Sequence, residues 1–406
     1  MLNSKRLLLI LITGLLAGIA LSCSDRGLDD PDEMVADILS QSSSFTEPEL
    51  AVLNRSLNLK ATPFNYANQP LPAHYRTGDT SESDNTPADN PITDMGATLG
   101  RVLFYDTKLS ANNAISCASC HKQSAAFADN ERLSMGLNGE LTRRNTMGLI
   151  NARYYEPGAF MWDESAATLE QQVLMPIENH TEMGLKLADM EAKLRDVEYY
   201  QILFTRTFGS PDVTSDRVAK ALSQFVRSIV AIDSKFDRGL IETGTMGEED
   251  TPPLPNFTAQ ENLGMDIFIN RATCIYCHGT AQNVNDEAKN NGLSLNYQDK
   301  GKGEITGKQQ DMAEFKVPSL RNIAQTAPYM HDGRFETLMD VVNHYSDNVQ
   351  RHENLNFRLT TDEKRGGEVL RLNLSQVEKE ALVAFLHTLT DESVLKAEKY
   401  SDPFKR

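Results

Sequence analysis

The chain has 406 residues, with 40 basic and 57 acidic side chains and a formal net charge of −17. That length holds about two or three ordinary domains. The acidic balance argues against a nucleic-acid partner or an anionic membrane surface, and a solvated acidic exterior is the plain reading.

Lys5 and Arg6 precede an uncharged run from Leu7 to Leu21. The run is short for a bilayer span and has the charged start and apolar centre of an export signal. Ala20-Leu21-Ser22-Cys23 resembles a bacterial lipobox, with Ala20 where Leu is usual. It implies a lipoprotein signal peptide over 1–22, cleavage before Cys23 and lipidation of that thiol. An ordinary signal peptide with a cysteine nearby is the alternative. Both readings export the chain; the first makes it lipid-anchored and periplasm-facing in a Gram-negative bacterium, touching membrane through the anchor only. Residues 23–90 read as an acidic, partly disordered tether, because runs such as Gly78-Asp79-Thr80-Ser81-Glu82 cannot bury enough apolar surface to offset their ordering entropy. Leu53 to Leu71 is the piece able to pack locally.

From Pro91 the pattern is globular. A short helix over Leu99-Gly100-Arg101-Val102-Leu103-Phe104 leads to Cys117-Ala118-Ser119-Cys120-His121. Amphipathic helices follow at Ala166–Leu174 and Asp216–Ile232, the second with Val218, Leu222, Phe225, Val226 and Ile229 on one stripe. Gly244–Phe257, with Pro252, Pro253 and Pro255, reads as a linker. Leu263-Gly264-Met265-Asp266-Ile267-Phe268 then leads to Cys274-Ile275-Tyr276-Cys277-His278, an internal repeat of the first module. Further helices are expected near Thr258–Ile269, Thr337–Tyr345 and Ser375–Leu389. Convincing alternating strands are missing. The expected fold is all-α, mostly helical with long loops, in two cytochrome c-like haem domains, 91–250 and 251–406.

The two C-x-x-C-H runs carry the chemistry. Thiols at this spacing reach the two vinyl groups on one edge of a porphyrin, and the adjacent histidine turns a nitrogen onto the iron. Cys117, Cys120 and His121 would hold one haem c covalently, and Cys274, Cys277 and His278 a second. The fifth cysteine is Cys23, so none remains for a disulfide or a catalytic thiol.

Further blocks add to these runs. They are Asp89-Asn90-Pro91 through Leu99–Asp106 to Leu109-Ser110; Arg144-Asn145; Trp162-Asp163 followed by Leu169–Gln172, Pro176-Ile177 and Glu182-Met183-Gly184; and Lys316–Asn322 leading into Thr326–Gly333. Together they resemble the bacterial dihaem cytochrome c peroxidases, including their MauG-type branch, over about Asp89 to Leu389. The resemblance implies peroxide chemistry at the His121 haem and electron handling at the His278 haem. Many members block the first iron with a histidine in the loop after the motif; here that place is near Leu137, which implies an open iron, with Met135 a conceivable ligand or merely a loop thioether. Glu182 matches the catalytic acid–base and Gln172 its partner, with His180 a neighbour that could compete. Trp162, the single tryptophan, matches an electron relay between the haems. The place of a methionine ligand on the second iron is taken by Tyr345, as in the MauG-type branch, with His344 or Met339 as competitors. A phenolate favours higher oxidation states and lowers the potential, whereas methionine raises it. A calcium ion between the haems would take Asn145 and the carbonyls of Thr326 and Pro328.

The implied function is reduction of hydrogen peroxide with electrons from a cytochrome c, a cupredoxin or another periplasmic donor. The alternatives are a MauG-type oxidase acting on a protein or small-molecule substrate, and a non-catalytic dihaem electron-transfer cytochrome.

Overall fold

A computed structural model describes residues 44–272, 274–279 and 287–405. The signal peptide expected over 1–22, Cys23 with its lipidation and the start of the expected tether lie outside the described residues. Contacts divide the chain into two units, Met1–Thr46 and Glu47–Arg406; everything below belongs to the second. Its described residues are helical, and no strand occurs among them. Extended pieces meet only in isolated bridges such as Lys122 with Ala128 and Met135 with Leu141. No helix among the described residues is long and apolar enough to cross a membrane.

Helix α1, Asp94–Tyr105, extends upstream of the apolar core that marks it in the sequence. Thr93 starts it, its side-chain oxygen accepting from the Gly96 N–H. The helix lies against α2, Ser215–Ser228, which buries Val218, Leu222, Phe225 and Val226 and is capped in the same way by Thr214. The backbones meet at Gly100. A Cβ there would stand 2.0 Å from the Ala221 carbonyl oxygen and 2.8 Å from Phe225 Cβ. The second half repeats this pair. Helix α3, Ala259–Asp266, lies against α4, Gln376–Thr388, and each begins with a reciprocal capping box, Thr258 with Glu261 and Ser375 with Glu378. Gly264 is the meeting point, its Cβ position 1.9 Å from the Ala381 carbonyl oxygen and 2.9 Å from Phe385 Cβ. Thus the Leu-Gly repeat of the sequence is a repeated helix crossing: each glycine receives an alanine and a phenylalanine one turn apart. A π-helical turn at Ile267–Arg271 carries α3 on toward Cys274.

The expected tether needs correcting from Glu47 onward. Leu53, Leu57 and Tyr66 are 0 % exposed, and Tyr75 is buried as well. The Tyr66 hydroxyl donates to the Lys399 carbonyl at 2.5 Å, and His74 meets Asp237 at 2.9 Å. Leu53, Leu57 and Tyr66 fall in the piece expected to pack locally, while Tyr75 and His74 anchor the polar stretch beyond it, where none was expected. The proline-rich segment after Gly244 is likewise held. Leu254 and Phe257 are buried beside Phe236, Leu240 and Phe385. The Asn262 side chain accepts from the Leu254 N–H at 2.8 Å and donates to its carbonyl at 3.1 Å. The core of the second half therefore begins at Phe236, upstream of the boundary expected at 250.

Candidate active site

The first C-x-x-C-H run folds as a single helical turn, Cys117–Cys120, with Ser116 and Ser119 forming a capping box. The His121 N–H closes the turn on the Cys117 carbonyl at 2.9 Å. His121 Nδ1 donates to the Phe127 carbonyl at 2.8 Å. That bond fixes the tautomer and leaves Nε2 as the electron-pair donor a metal requires. Burial pushes the imidazole below its ordinary pKa, so it stays neutral as a ligand must. The second run is built alike. The His278 N–H bonds the Cys274 carbonyl at 3.0 Å, and its Nδ1 donates to the Pro318 carbonyl at 3.1 Å. The four thiols form no disulfide.

A cavity of about 530 Å³ opens over the first run. It brings together Cys117, Cys120, His121, Trp162, Gln172 and Glu182. Gln172 ends a one-turn helix, Leu169–Gln172, capped by Thr168. Glu182 sits on the loop that follows a second short turn, Met175–Glu178. The Glu182 N–H bonds the Asn179 carbonyl at 3.1 Å, and Asn179 Nδ2 donates to Glu182 Oε1 at 3.1 Å. The carboxyl is half-buried, and burial raises its pKa above the usual range. His180 is exposed and also reaches the cavity wall.

The loop that could carry a blocking ligand is docked on the Glu182 loop instead. The Leu137 N–H bonds the Thr181 carbonyl at 2.9 Å. A Cβ on Gly136 would fall 1.8 Å from that same oxygen, so glycine is what allows the approach. The Leu137 side chain abuts Gly184. Met135 points outward, 64 % exposed, and is not part of the cavity wall.

A second cavity, about 240 Å³, is lined by Cys274, Cys277, His278 and Tyr345. Tyr345 lies in a π-helical turn, His344–Asn348, that continues the helix Leu338–Asn343; such insertions re-aim side chains at functional sites. His344 faces elsewhere: it is buried, off the cavity wall, with Nε2 donating to the Asn291 carbonyl at 3.0 Å. Met339 is off the wall too. Asn291 Nδ2 donates to the Tyr345 hydroxyl at 3.4 Å. Burial pushes the Tyr345 phenol up to about 12, so a phenolate there calls for a cation beside it.

Trp162 lines both cavities. Its indole donates to the Asn145 carbonyl at 2.8 Å, and the Lys316 N–H bonds the Trp162 carbonyl at 2.8 Å. Asn145, Thr326 and Pro328 all line the second cavity. Asn145 Nδ2 donates to the carbonyls of Glu131 and Arg132, each at 3.2 Å.

A family model described as di-haem cytochrome c peroxidase matches residues 94–245. The methylamine utilization protein MauG of Methylophilus methylotrophus is 31% identical over 312 residues, covering 76% of this chain and 86% of that one. The cytochrome c551 peroxidase of Nitrosomonas europaea is 32% identical, covering 73% of this chain and 80% of that one. A solved MauG-like protein associated with microbial copper homeostasis superposes with a TM-score of 0.69 at 32% identity, over 83% of this chain and 99% of its own. The chain belongs to the di-haem cytochrome c peroxidase family. It is thereby an oxidoreductase of peroxidase type, with two haem c groups as cofactors.

The residues of this dihaem peroxidase fit those groups. Each cavity is flanked by its pair of cysteines, and each motif histidine has its second nitrogen tied to a carbonyl. Arg321, on the wall of the second cavity, keeps Nε buried with no hydrogen-bond partner, a donor that a porphyrin carboxylate could satisfy. Sequence reasoning missed the supporting shell of the peroxidase site. Asn179 stands only three residues before the Glu182 it supports, whereas Asn291 and Tyr155 lie in stretches with no motif spacing and meet Tyr345 and the Cys277 environment only in the folded chain.

Proposed function

We propose that this chain reduces hydrogen peroxide at the haem held by Cys117, Cys120 and His121, and that the haem held by Cys274, Cys277, His278 and Tyr345 handles electrons. The observation that carries the reading is the shared cavity of His121, Gln172 and Glu182, with Trp162 on the walls of both cavities. The haems, when bound, supply the iron that cleaves the O–O bond and holds the two oxidising equivalents. His121 presents Nε2 to the first iron. Glu182 takes the proton from one peroxide oxygen and returns it to the other, which leaves as water. Gln172 orients the peroxide by hydrogen bonding, and Trp162 passes electrons between the two sites. Docking of Leu137 on the Glu182 loop keeps the first cavity accessible without prior reduction of the second haem. Asn145 Oδ1 and the carbonyls of Thr326 and Pro328 are a hard-oxygen set suited to one calcium ion between the haems. The donor is a small redox protein, cytochrome c or cupredoxin. The chain is exported, and lipidation at Cys23 anchors it facing the periplasm.

A second reading, a MauG-type oxidase of a protein or small molecule, is favoured by Tyr345, since an anionic ligand stabilises stored oxidising equivalents. Electron paramagnetic resonance of the resting ferric protein tests the shared core of both readings. The expected spectrum has a high-spin signal from the open first haem beside a low-spin second haem. Two low-spin haems would overturn the open first iron and leave either a peroxidase blocked until reduced or an electron-transfer cytochrome.

A further inference from the structure

Tyr155 reaches both haem environments, as Trp162 does, yet has no part in the chemistry above. It lines the cavity of His121 and packs with Val317 against Cys277. It is 2 % exposed. Its hydroxyl donates to Glu164 Oε1. The Glu164 side chain is 5% exposed and is held by Lys302 Nζ at 2.7 Å and by the Ala288 N–H at 3.2 Å. Glu164 itself sits at φ 54°, a left-handed conformation that non-glycine residues seldom adopt, so the backbone bears strain in bringing this carboxylate to the phenol.

A buried tyrosine needs one hydrogen-bond acceptor, and any carbonyl would serve. A buried carboxylate is the costly choice, since its charge needs a partner of its own. What it adds is basicity. An oxidised phenol is a strong acid, so in a dry site it forms only where a base takes its proton. Lys316 Nζ stands over the Tyr155 ring, and burial pushes that ammonium well below its ordinary pKa. The more weakly that nitrogen holds its proton, the less a positive charge opposes oxidation of the ring.

We propose that Tyr155 is a second redox-active side chain of this peroxidase, oxidised by one electron while its proton passes to Glu164. The inference rests on the peroxidase reading. The phenolic O–H bond breaks and an O–H bond forms on Glu164 Oε1. The electron leaves the ring and fills one of the two oxidising equivalents that hydrogen peroxide confers on the haem pair. The neutral phenoxyl is then reduced by the external donor, and Glu164 returns the proton. Tyr155 thus offers a route parallel to Trp162, with its own base.

The test is electron paramagnetic resonance of the holoenzyme frozen after mixing with hydrogen peroxide. The expected result is a tyrosyl radical whose hyperfine pattern narrows when ring-deuterated tyrosine is incorporated, which is lost in Tyr155→Phe and reduced in Glu164→Gln. A tyrosyl signal that persists in Tyr155→Phe overturns the proposal. So does the absence of any tyrosyl signal once peroxide has shifted the ferric Soret band. If the Soret band does not respond to peroxide at all, the peroxidase reading falls and the proposal falls with it, so the two failures are distinguishable. If Tyr155→Phe does not retain haem, Glu164→Gln decides: an undiminished tyrosyl yield there overturns the proposal.

Discussion

Glu182 shows how burial can set a chemical role. Its carboxyl is half-buried, accepts from Asn179 Nδ2 and has its pKa raised by loss of solvent. The proposed step begins with a carboxylate, and protonation disables it. The rate constant for hydrogen peroxide should therefore fall as pH drops through the raised pKa, at a higher pH than an ordinary glutamate would impose. Glu182→Gln should slow the reaction by about two to four orders of magnitude, the usual scale for a general acid–base group, and erase that acid limb. Stability should move the other way. A carboxyl with a raised folded-state pKa binds its proton more tightly when folded, so it costs stability once pH rises above its unfolded value. Removing the charge should leave the denaturation midpoint at neutral pH unchanged or higher. Stopped-flow rates across pH check the first expectation, and a full rate in the variant removes Glu182 from the mechanism.

Among the helices, the repeated crossing is the feature most open to a direct test. α3 and α4 touch through Gly264 as α1 and α2 touch through Gly100. A methyl group at either glycine would drive into a carbonyl oxygen of the partner helix, which belongs to backbone and cannot rotate away. Gly264→Ala should therefore destabilise the protein by about 1–3 kcal/mol, the usual cost of overpacking, despite alanine's better helix propensity. Denaturant unfolding checks this, and a stabilised variant would mean that the helices part freely. The sequence showed these glycines only as a Leu-Gly repeat before each haem motif. Spacing fixes what lies close along the chain, which is why both C-x-x-C-H turns and the helix at Ser215–Ser228 were legible; the block from Trp162 to Glu182 was legible only through its resemblance to the family. Spacing does not report which helix a glycine meets, nor that Leu137 would dock on the Glu182 loop. The anchor Tyr75 was lost in a polar average for the same reason: its partners Ala231 and Asn151 stand far along the chain.

At the scale of the molecule, the C-terminal residues after α4 return to the first haem half. Asp391 accepts from the N–H groups of Ile232 and Asp233 at 2.9 and 3.0 Å, and Gln123, two places after His121, donates to the carbonyls of Val394 and Ala397 at 2.9 and 3.0 Å. Tyr400 is the centre of this strap, 1 % exposed, its ring edge-on to Phe127 and Phe225 and its hydroxyl donating to the Ser228 carbonyl at 2.6 Å. Phe127 is the residue whose carbonyl fixes His121. The tail of the second half thus supports the ligand of the first iron. Tyr400→Ala should cost about 3–5 kcal/mol, the range for a large buried aromatic, and Tyr400→Phe only about 0.5–1.5 kcal/mol for its hydrogen bond. Because the contact lies behind His121, unfolding followed at the Soret band of the first haem should shift at least as far as unfolding followed by backbone circular dichroism. Equal midpoints for Tyr400→Ala and the unaltered chain would mean that the first half stands without the strap.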